Sequence, residues 1–247
     1  MTPPALDWLR EVPLAHRGLH GGEVPENSLA AFAAAVAAGY GVELDVMLAG
    51  DGTPVVVHDP DLSRVTGEAV RVGDLDVAAL QALPLLDAAG APTAETVPTL
   101  AAALEAVGSR PVMVEIKSRR LRAGRLEEQV AAAVDAHRGP ACVASFNPTT
   151  VRWFRRYRPD VIRVLTATAD ADPRLPAVVR RRLAELRDAA ALDPHAVSYD
   201  LAGLPNAAAT AWRATGRPLI TWTVRSEADL AKAEAEADNL IFEHVRP

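Results

Sequence analysis

Short apolar runs alternate with alanine-rich helical stretches from one end of the chain to the other. The runs are Val12–His16, Gly41–Val46, Pro54–His58, Pro111–Lys117, Ala141–Phe146, Val161–Thr166, Ala196–Asp200, Pro218–Val224 and Asn239–Glu243. Most are short and rich in Val, Ile and Leu, as strands buried on both faces are. Between them Ser28–Ala38, Thr99–Val107, Arg125–His137, Thr149–Tyr157 and Glu227–Glu236 carry helical periodicity. This alternation predicts a parallel sheet with crossover helices. One pair departs from it. Gly41–Val46 and Pro54–His58 are joined by a turn containing Asp51-Gly52, which signals a hairpin and is too short for a parallel crossover. With Pro54–His58 set aside as an antiparallel strand, eight parallel strands remain, the number of an α/β TIM barrel, (β/α)8. The segment Asp59–Val97 is weakly periodic, with one predicted helix at Asp76–Ala82 and a Gly/Pro-rich stretch at Ala88–Pro98. It reads as an excursion after the second barrel strand. No linker or internal repeat stands out, which predicts one domain over residues 1–247.

Charge interrupts the apolar strands at a few positions. Glu43 and Asp45 sit two apart in Val42-Glu43-Leu44-Asp45-Val46, and strand alternation puts both on the face away from Leu44. Two carboxylates side by side in a buried strand repel and are desolvated, so they need a cation or a proton. Glu115 and Lys117 repeat the spacing at the C-terminal end of Pro111–Lys117, the end at which barrel active sites are built. An even-length hairpin turn sets His58 opposite Glu43 or Asp45, about 5 Å away; an odd-length turn does not. The first strand ends in His16-Arg17-Gly18, an acid/base group beside an anion clamp. Pro25-Glu26-Asn27-Ser28 then opens a helix, with Asn27 or Ser28 as its cap and Glu26 left over to orient Arg17. His137 and His195 read as structural.

Composition narrows the function. The formal net charge of −6 argues against nucleic acid as a partner, which needs clustered Lys and Arg, but leaves room for a basic pocket fitting one phosphate. The lone Cys142 permits neither an intrachain disulfide nor a thiolate cluster and reads as a buried apolar residue. If the carboxylates in the strands hold a metal, the lack of a Cys/His cluster beside them selects a hard cation, Mg²⁺ or Ca²⁺. The start, Met1-Thr2-Pro3-Pro4-Ala5-Leu6-Asp7-Trp8, lacks a basic and an apolar signal region, and no apolar run approaches the ~20 residues of a membrane span. A cytoplasmic protein with no stable membrane anchor is expected; its oligomeric state is left open.

Taken in order, Ala15-His16-Arg17-Gly18, Pro25-Glu26-Asn27-Ser28-Leu29-Ala30-Ala31-Phe32, Glu43-Leu44-Asp45-Val46, Val57-His58-Asp59, Val97-Pro98-Thr99-Leu100 and Glu115-Ile116-Lys117 resemble the motifs of the glycerophosphodiester phosphodiesterase family. Ser145-Phe146-Asn147 and Thr221-Trp222-Thr223-Val224 match more weakly. The resemblance implies a barrel enzyme that hydrolyses glycerophosphodiesters to glycerol 3-phosphate and an alcohol. It implies one divalent cation held by Glu43, Asp45 and Glu115, His16 and His58 as the acid/base pair, Arg17 and Lys117 as phosphate contacts, and Phe146 and Trp222 lining a glycerol pocket. Two positions depart from the family pattern. Glu243-His244 stands where a Thr-Asp pair is usual, and Arg225 where Asn is common. Two other readings keep the same residues: a lyase releasing a cyclic phosphate, and a non-catalytic barrel that binds phosphate esters.

Overall fold

The computed structural model describes residues 5–118 and 123–247, so the first four residues of the start read above lie outside it. Eight parallel strands alternate with helices, and the fold is the (β/α)8 barrel expected from the sequence. The chain divides into two compact units, residues 14–141 and residues 1–13 with 142–247.

In the first unit β1 is Leu14–His16, β2 Gly41–Leu48, β3 Pro54–Val56, β4 Pro84–Leu86, β5 Pro92–Thr96 and β6 Val112–Ile116. β2 is the hub. It pairs in parallel with β1 and β6 and antiparallel with β3. Ser28 caps the helix Leu29–Ala37 through a bond from the Ala31 N–H at 3.1 Å. Asn27 is therefore free for another task. Gly18, at φ +80, lies so close to this helix that an added Cβ would meet the Ala31 backbone at 2.7 Å. Only glycine lets the chain after His16-Arg17 turn back onto the helix there.

The excursion has its own small apolar core, which includes Val55, Leu62, Val72, Leu80, Leu85 and Val97. Its predicted helix is present as Val77–Gln81, capped by Asp76. The antiparallel pair β4–β5 carries no apolar alternation and leaves no signal in the sequence pattern.

The hairpin corrects one expectation. β2 and β3 pair as Val46↔Val56, Met47↔Val55 and Leu48↔Pro54, and the Ala49 N–H bonds the Thr53 carbonyl. The turn is thus odd in length, with Gly52 in the left-handed region at φ +88. Continued, that register would place His58 opposite Leu44, not opposite Glu43 or Asp45. The ladder instead ends at Val56, and the chain bends at His58.

In the second unit the strands are β7 (Ala141–Ser145, starting at the unit boundary), β8 (Ile162–Ala167), β9 (Ala196–Asp200), β10 (Leu219–Val224) and β11 (Asn239–Phe242). Neighbours in this list pair in parallel. Cys142 is buried, as expected. Arg163 donates its backbone N–H to His195 Nδ1, and burial pulls that imidazole down to about 4, so His195 stays neutral and structural. Among the described residues no helix is long and apolar enough to cross a membrane.

Candidate active site

Strand register builds the first half of the site. β1 sets His16 beside Glu43, and β6 sets Glu115 beside Asp45. All four side chains thus come from three adjacent strands of one unit. Glu43 and Asp45 are essentially fully buried, while Glu115 and His16 are each 13% exposed. One carboxylate oxygen from each of Glu43, Asp45 and Glu115 lies within 4.8 Å of the others. His16 Nε2 is 3.8 Å from Glu43 Oε2.

The three carboxylates are not equivalent. Asp45 forms ion pairs with Lys117 Nζ at 2.9 Å and Arg17 Nε at 3.1 Å, and its Oδ2 accepts a hydrogen bond from Asn27 Nδ2 at 3.0 Å. Burial alone would raise its pKa, but Lys117 and Arg17 hold it well below the usual carboxylate range. Glu43 has the opposite fate. Burial, reinforced by Asp45 and Glu115, pushes its carboxyl well above the usual range. Among the described residues its buried Oε1 has no hydrogen-bond partner, and its Oε2 accepts the Arg17 backbone N–H at 3.2 Å. An unpartnered buried oxygen beside two more carboxylates is what a hard cation would satisfy. The donor set fits Mg²⁺ or Ca²⁺.

Arg17 and Lys117 both lean on this triad, Lys117 also reaching Glu115 Oε1 at 2.5 Å. Arg17 sits at φ +56, a left-handed conformation unusual outside glycine. Its carbonyl accepts the Asn27 N–H, so the backbone is pinned on both sides.

A second network was only partly visible in the sequence. Arg17 Nη1 donates to Glu26 Oε1 at 2.8 Å, as the spare carboxylate suggested. Arg64, on the short helix Ser63–Thr66, grips both oxygens of Glu26 at 2.8 Å and donates its Nε to Asp59 Oδ2 at 2.6 Å. Asp59 Oδ1 accepts from His58 Nδ1 at 2.7 Å. Arg64 thus ties His58 to Arg17. This contact fixes the His58 tautomer and leaves Nε2 for chemistry. Burial lowers the His58 pKa, against the upward pull of Asp45 and the Asp59 bond. The bend after β3, rather than the hairpin register, brings His58 under the influence of Asp45. The only sequence cue for Arg64 was a lone arginine five residues beyond Asp59.

Among the described residues of the first unit's site, five carboxylates (Glu26, Glu43, Asp45, Asp59 and Glu115) face three permanent cations (Arg17, Arg64 and Lys117). The raised pKa of Glu43 relieves part of this acidic excess, and a bound cation would relieve it further.

In the second unit Phe146, which follows β7, and Trp222 on β10 pack edge to face, with centroids 5.6 Å apart. Trp222, Asp200, Arg225, Asp229 and Lys232 line a cavity of about 270 Å³. The two departures noted in the sequence meet here, since Arg225 Nε donates to Glu243 Oε2 at 2.7 Å.

The family model described as the glycerophosphoryl diester phosphodiesterase family matches residues 16–246. The chain belongs to this family. Among curated members, glycerophosphodiester phosphodiesterases of Caldanaerobacter subterraneus and Bacillus altitudinis are both 32% identical to it, over 61% and 62% of this chain. The matches span 64% and 65% of those relatives, a little under two thirds of their length. Among solved structures, a putative family member from Silicibacter pomeroyi superposes with a TM-score of 0.80 at 22% identity, covering 96% of this chain and 93% of that one. A phosphodiesterase of Oleispira antarctica, solved with the product sn-glycerol-3-phosphate, gives a TM-score of 0.72 at 25% identity, covering 93% and 91%. The residues around His16, Glu26, Glu43 and His58, which carry the resemblance read in the sequence, are brought together within the first unit.

Proposed function

We propose that this chain is a cation-dependent phosphodiesterase that hydrolyses glycerophosphodiesters to glycerol 3-phosphate and an alcohol in the cytoplasm. The observation that carries this reading is the strand register that sets His16 beside Glu43 and Asp45 beside Glu115. Family membership and the glycerol phosphate bound to the Oleispira relative support the substrate class. Glu43, Asp45 and Glu115 would hold one divalent cation. When bound, such a cation polarises phosphoryl oxygens and balances their charge.

The remaining steps belong to the chain's own residues. Arg17 and Lys117, which pair with Asp45, are the donors available to phosphate oxygens; the guanidinium offers a fork and the ammonium a point charge. His16 takes the proton from the attacking glycerol hydroxyl. His58, through Nε2, gives a proton to the leaving alkoxide as its P–O bond breaks. In the second half the roles reverse: water gives its proton to His58 as it attacks phosphorus, and His16 returns its proton to the glycerol oxygen. Each transfer typically contributes about 10²–10⁴-fold.

The test is an assay on glycerophosphocholine, glycerophosphoethanolamine and glycerophosphoglycerol, with product analysis. Glycerol 3-phosphate is the expected product, lost in excess chelator and restored by Mg²⁺ or Ca²⁺. A persistent cyclic phosphate would assign a lyase. Full turnover in protein shown to be metal-free would overturn the cation, and no turnover on any diester would overturn the activity.

Arg64 makes a separate prediction. It touches no reacting group, yet it positions His58 and Arg17 through Asp59 and Glu26. Arg64→Ala is expected to lower kcat about 10–100-fold, the range for lost supporting contacts. Arg64→Lys, able to reach only part of the pair, should recover part of that loss. Wild-type kinetics for Arg64→Ala would show that the network has no such role.

A further inference from the structure

Among the described residues, five large hydrophobic side chains are exposed, and three of them, Leu175 (38%), Val178 (64%) and Val179 (37%), fall within five positions. They lie in the segment after β8, where every residue from Asp172 to Arg182 is exposed. Its helix, Ala177–Ala184, buries none of its residues. Isolated helices need about 12–15 residues to be even marginal in water, and those in proteins are held mainly by packing an apolar face. This helix has eight residues and no such packing. Val178 and Val179 are neighbours in its first turn, and Leu175 lies just ahead of the N-cap Pro176, so the three exposed side chains are close along the chain. Nothing in the described chain covers them.

Charge decides what would. From Arg174 to Arg182 there are four arginines and no acidic residue, in a chain whose net charge is −6. Arg181 pairs with Glu185 on the exposed surface, where such a pair is weak, whereas Arg182 is held through Nε and Nη2 by the largely covered Asp188. Arg174 and Arg180 have no ion pair among the described residues. Apolar side chains flanked by guanidinium groups match the boundary between phosphate head groups and acyl chains. A second copy of this chain would bring arginine against arginine. The segment also leaves β8 beside the cavity, since Thr168 Oγ1 donates to Asp200 Oδ2 at 2.9 Å and Asp200 lines it.

We propose that residues 174–183 form a docking surface for an anionic phospholipid bilayer, holding the protein reversibly at the membrane. Leu175, Val178 and Val179 enter the head-group region while Arg174 and Arg180 bind its phosphates. One short helix supports peripheral association only. The proposal stands apart from the phosphodiesterase reading, because its test measures partition and not turnover.

The full chain is mixed with vesicles of phosphatidylcholine alone, or of phosphatidylcholine with phosphatidylglycerol, and sedimented. Binding is expected only to the anionic vesicles, and added salt should release it. Arg180→Gln should lower the partition about fivefold, the effect of one basic charge near such a surface. Val178→Asp should lower it on the order of tenfold or more. Both variants should keep the wild-type melting temperature and turnover of a water-soluble diester. Absence of binding, equal binding to both vesicle types, or binding indifferent to both substitutions would overturn the proposal. So would a wild-type dimer that Val178→Asp splits while neither form binds vesicles, because the face would then belong to a second copy.

Discussion

Asp45→Asn is expected to abolish measurable turnover and to destabilise the cation-free protein by about 3–5 kcal/mol, whereas Glu43→Gln should abolish turnover and leave the fold intact. Both carboxylates are buried and both belong to the triad. They differ in protonation. Asp45 is held ionised by Lys117 and Arg17, so an amide there leaves two buried cations without their shared partner. Glu43 is pushed toward its neutral form by burial and by Asp45 and Glu115, and glutamine resembles that form closely. The pH dependence follows with opposite signs. Asp45, with its folded pKa depressed, contributes stability present above the ordinary Asp range and lost as pH falls below it. Glu43, with its folded pKa raised, contributes stability that is full below the ordinary Glu range and lost as pH rises toward its folded value. Cation-free wild type should therefore lose stability on the alkaline side of that range, and Glu43→Gln should remove that loss. Melting temperatures across pH in chelator, together with metal titrations, would check this. A Glu43→Gln variant that binds metal as tightly as wild type would remove Glu43 from the ligand set, and an undisturbed Asp45→Asn would contradict the ion-pair account.

His16→Ala and His58→Ala are each expected to lower turnover of the natural diester by about 10²–10⁴-fold while the protein stays folded. The two should part company on an aryl phosphodiester. Its leaving group departs without protonation, so it should rescue His58→Ala selectively if His58 is the acid. His16→Ala should stay slow, because the attacking hydroxyl still has to lose its proton. Equal rescue of both variants, or of neither, would reject these roles. Near-normal activity of either variant on the natural diester would reject the pair.

What the sequence made legible follows from the range of the forces involved. The strands were readable because burial on both faces demands unbroken apolar runs, and Glu43, Asp45 and Glu115 were readable because they violate that demand. The strand Ala196–Asp200 and the helix Glu227–Glu236 were read with their observed bounds. The β2–β3 register was not legible, because one residue more or fewer in a polar turn leaves almost no trace in the pattern yet moves His58 to the other face. Ser28 and Asn27 both suit a helix cap, and only the fold shows that Ser28 takes it while Asn27 turns to Asp45. Arg64 escaped notice because its partners lie five and thirty-eight positions away, joined by the excursion rather than by any local period. The Arg225–Glu243 contact was hidden for a similar reason; each residue alone looked like an isolated departure.

The chain of contacts from Arg17 through Glu26, Arg64 and Asp59 to His58 also limits how this protein can be recombined with its relatives. The loop after β1 supplies Arg17 and Glu26, and the stretch after β3 supplies His58, Asp59 and Arg64. A chimera that imports one stretch from a relative with a different spacing breaks the chain at Arg64, even when every motif residue is kept. The two segments form a single heritable module, divided in sequence and continuous in space, and a functional transplant has to move both.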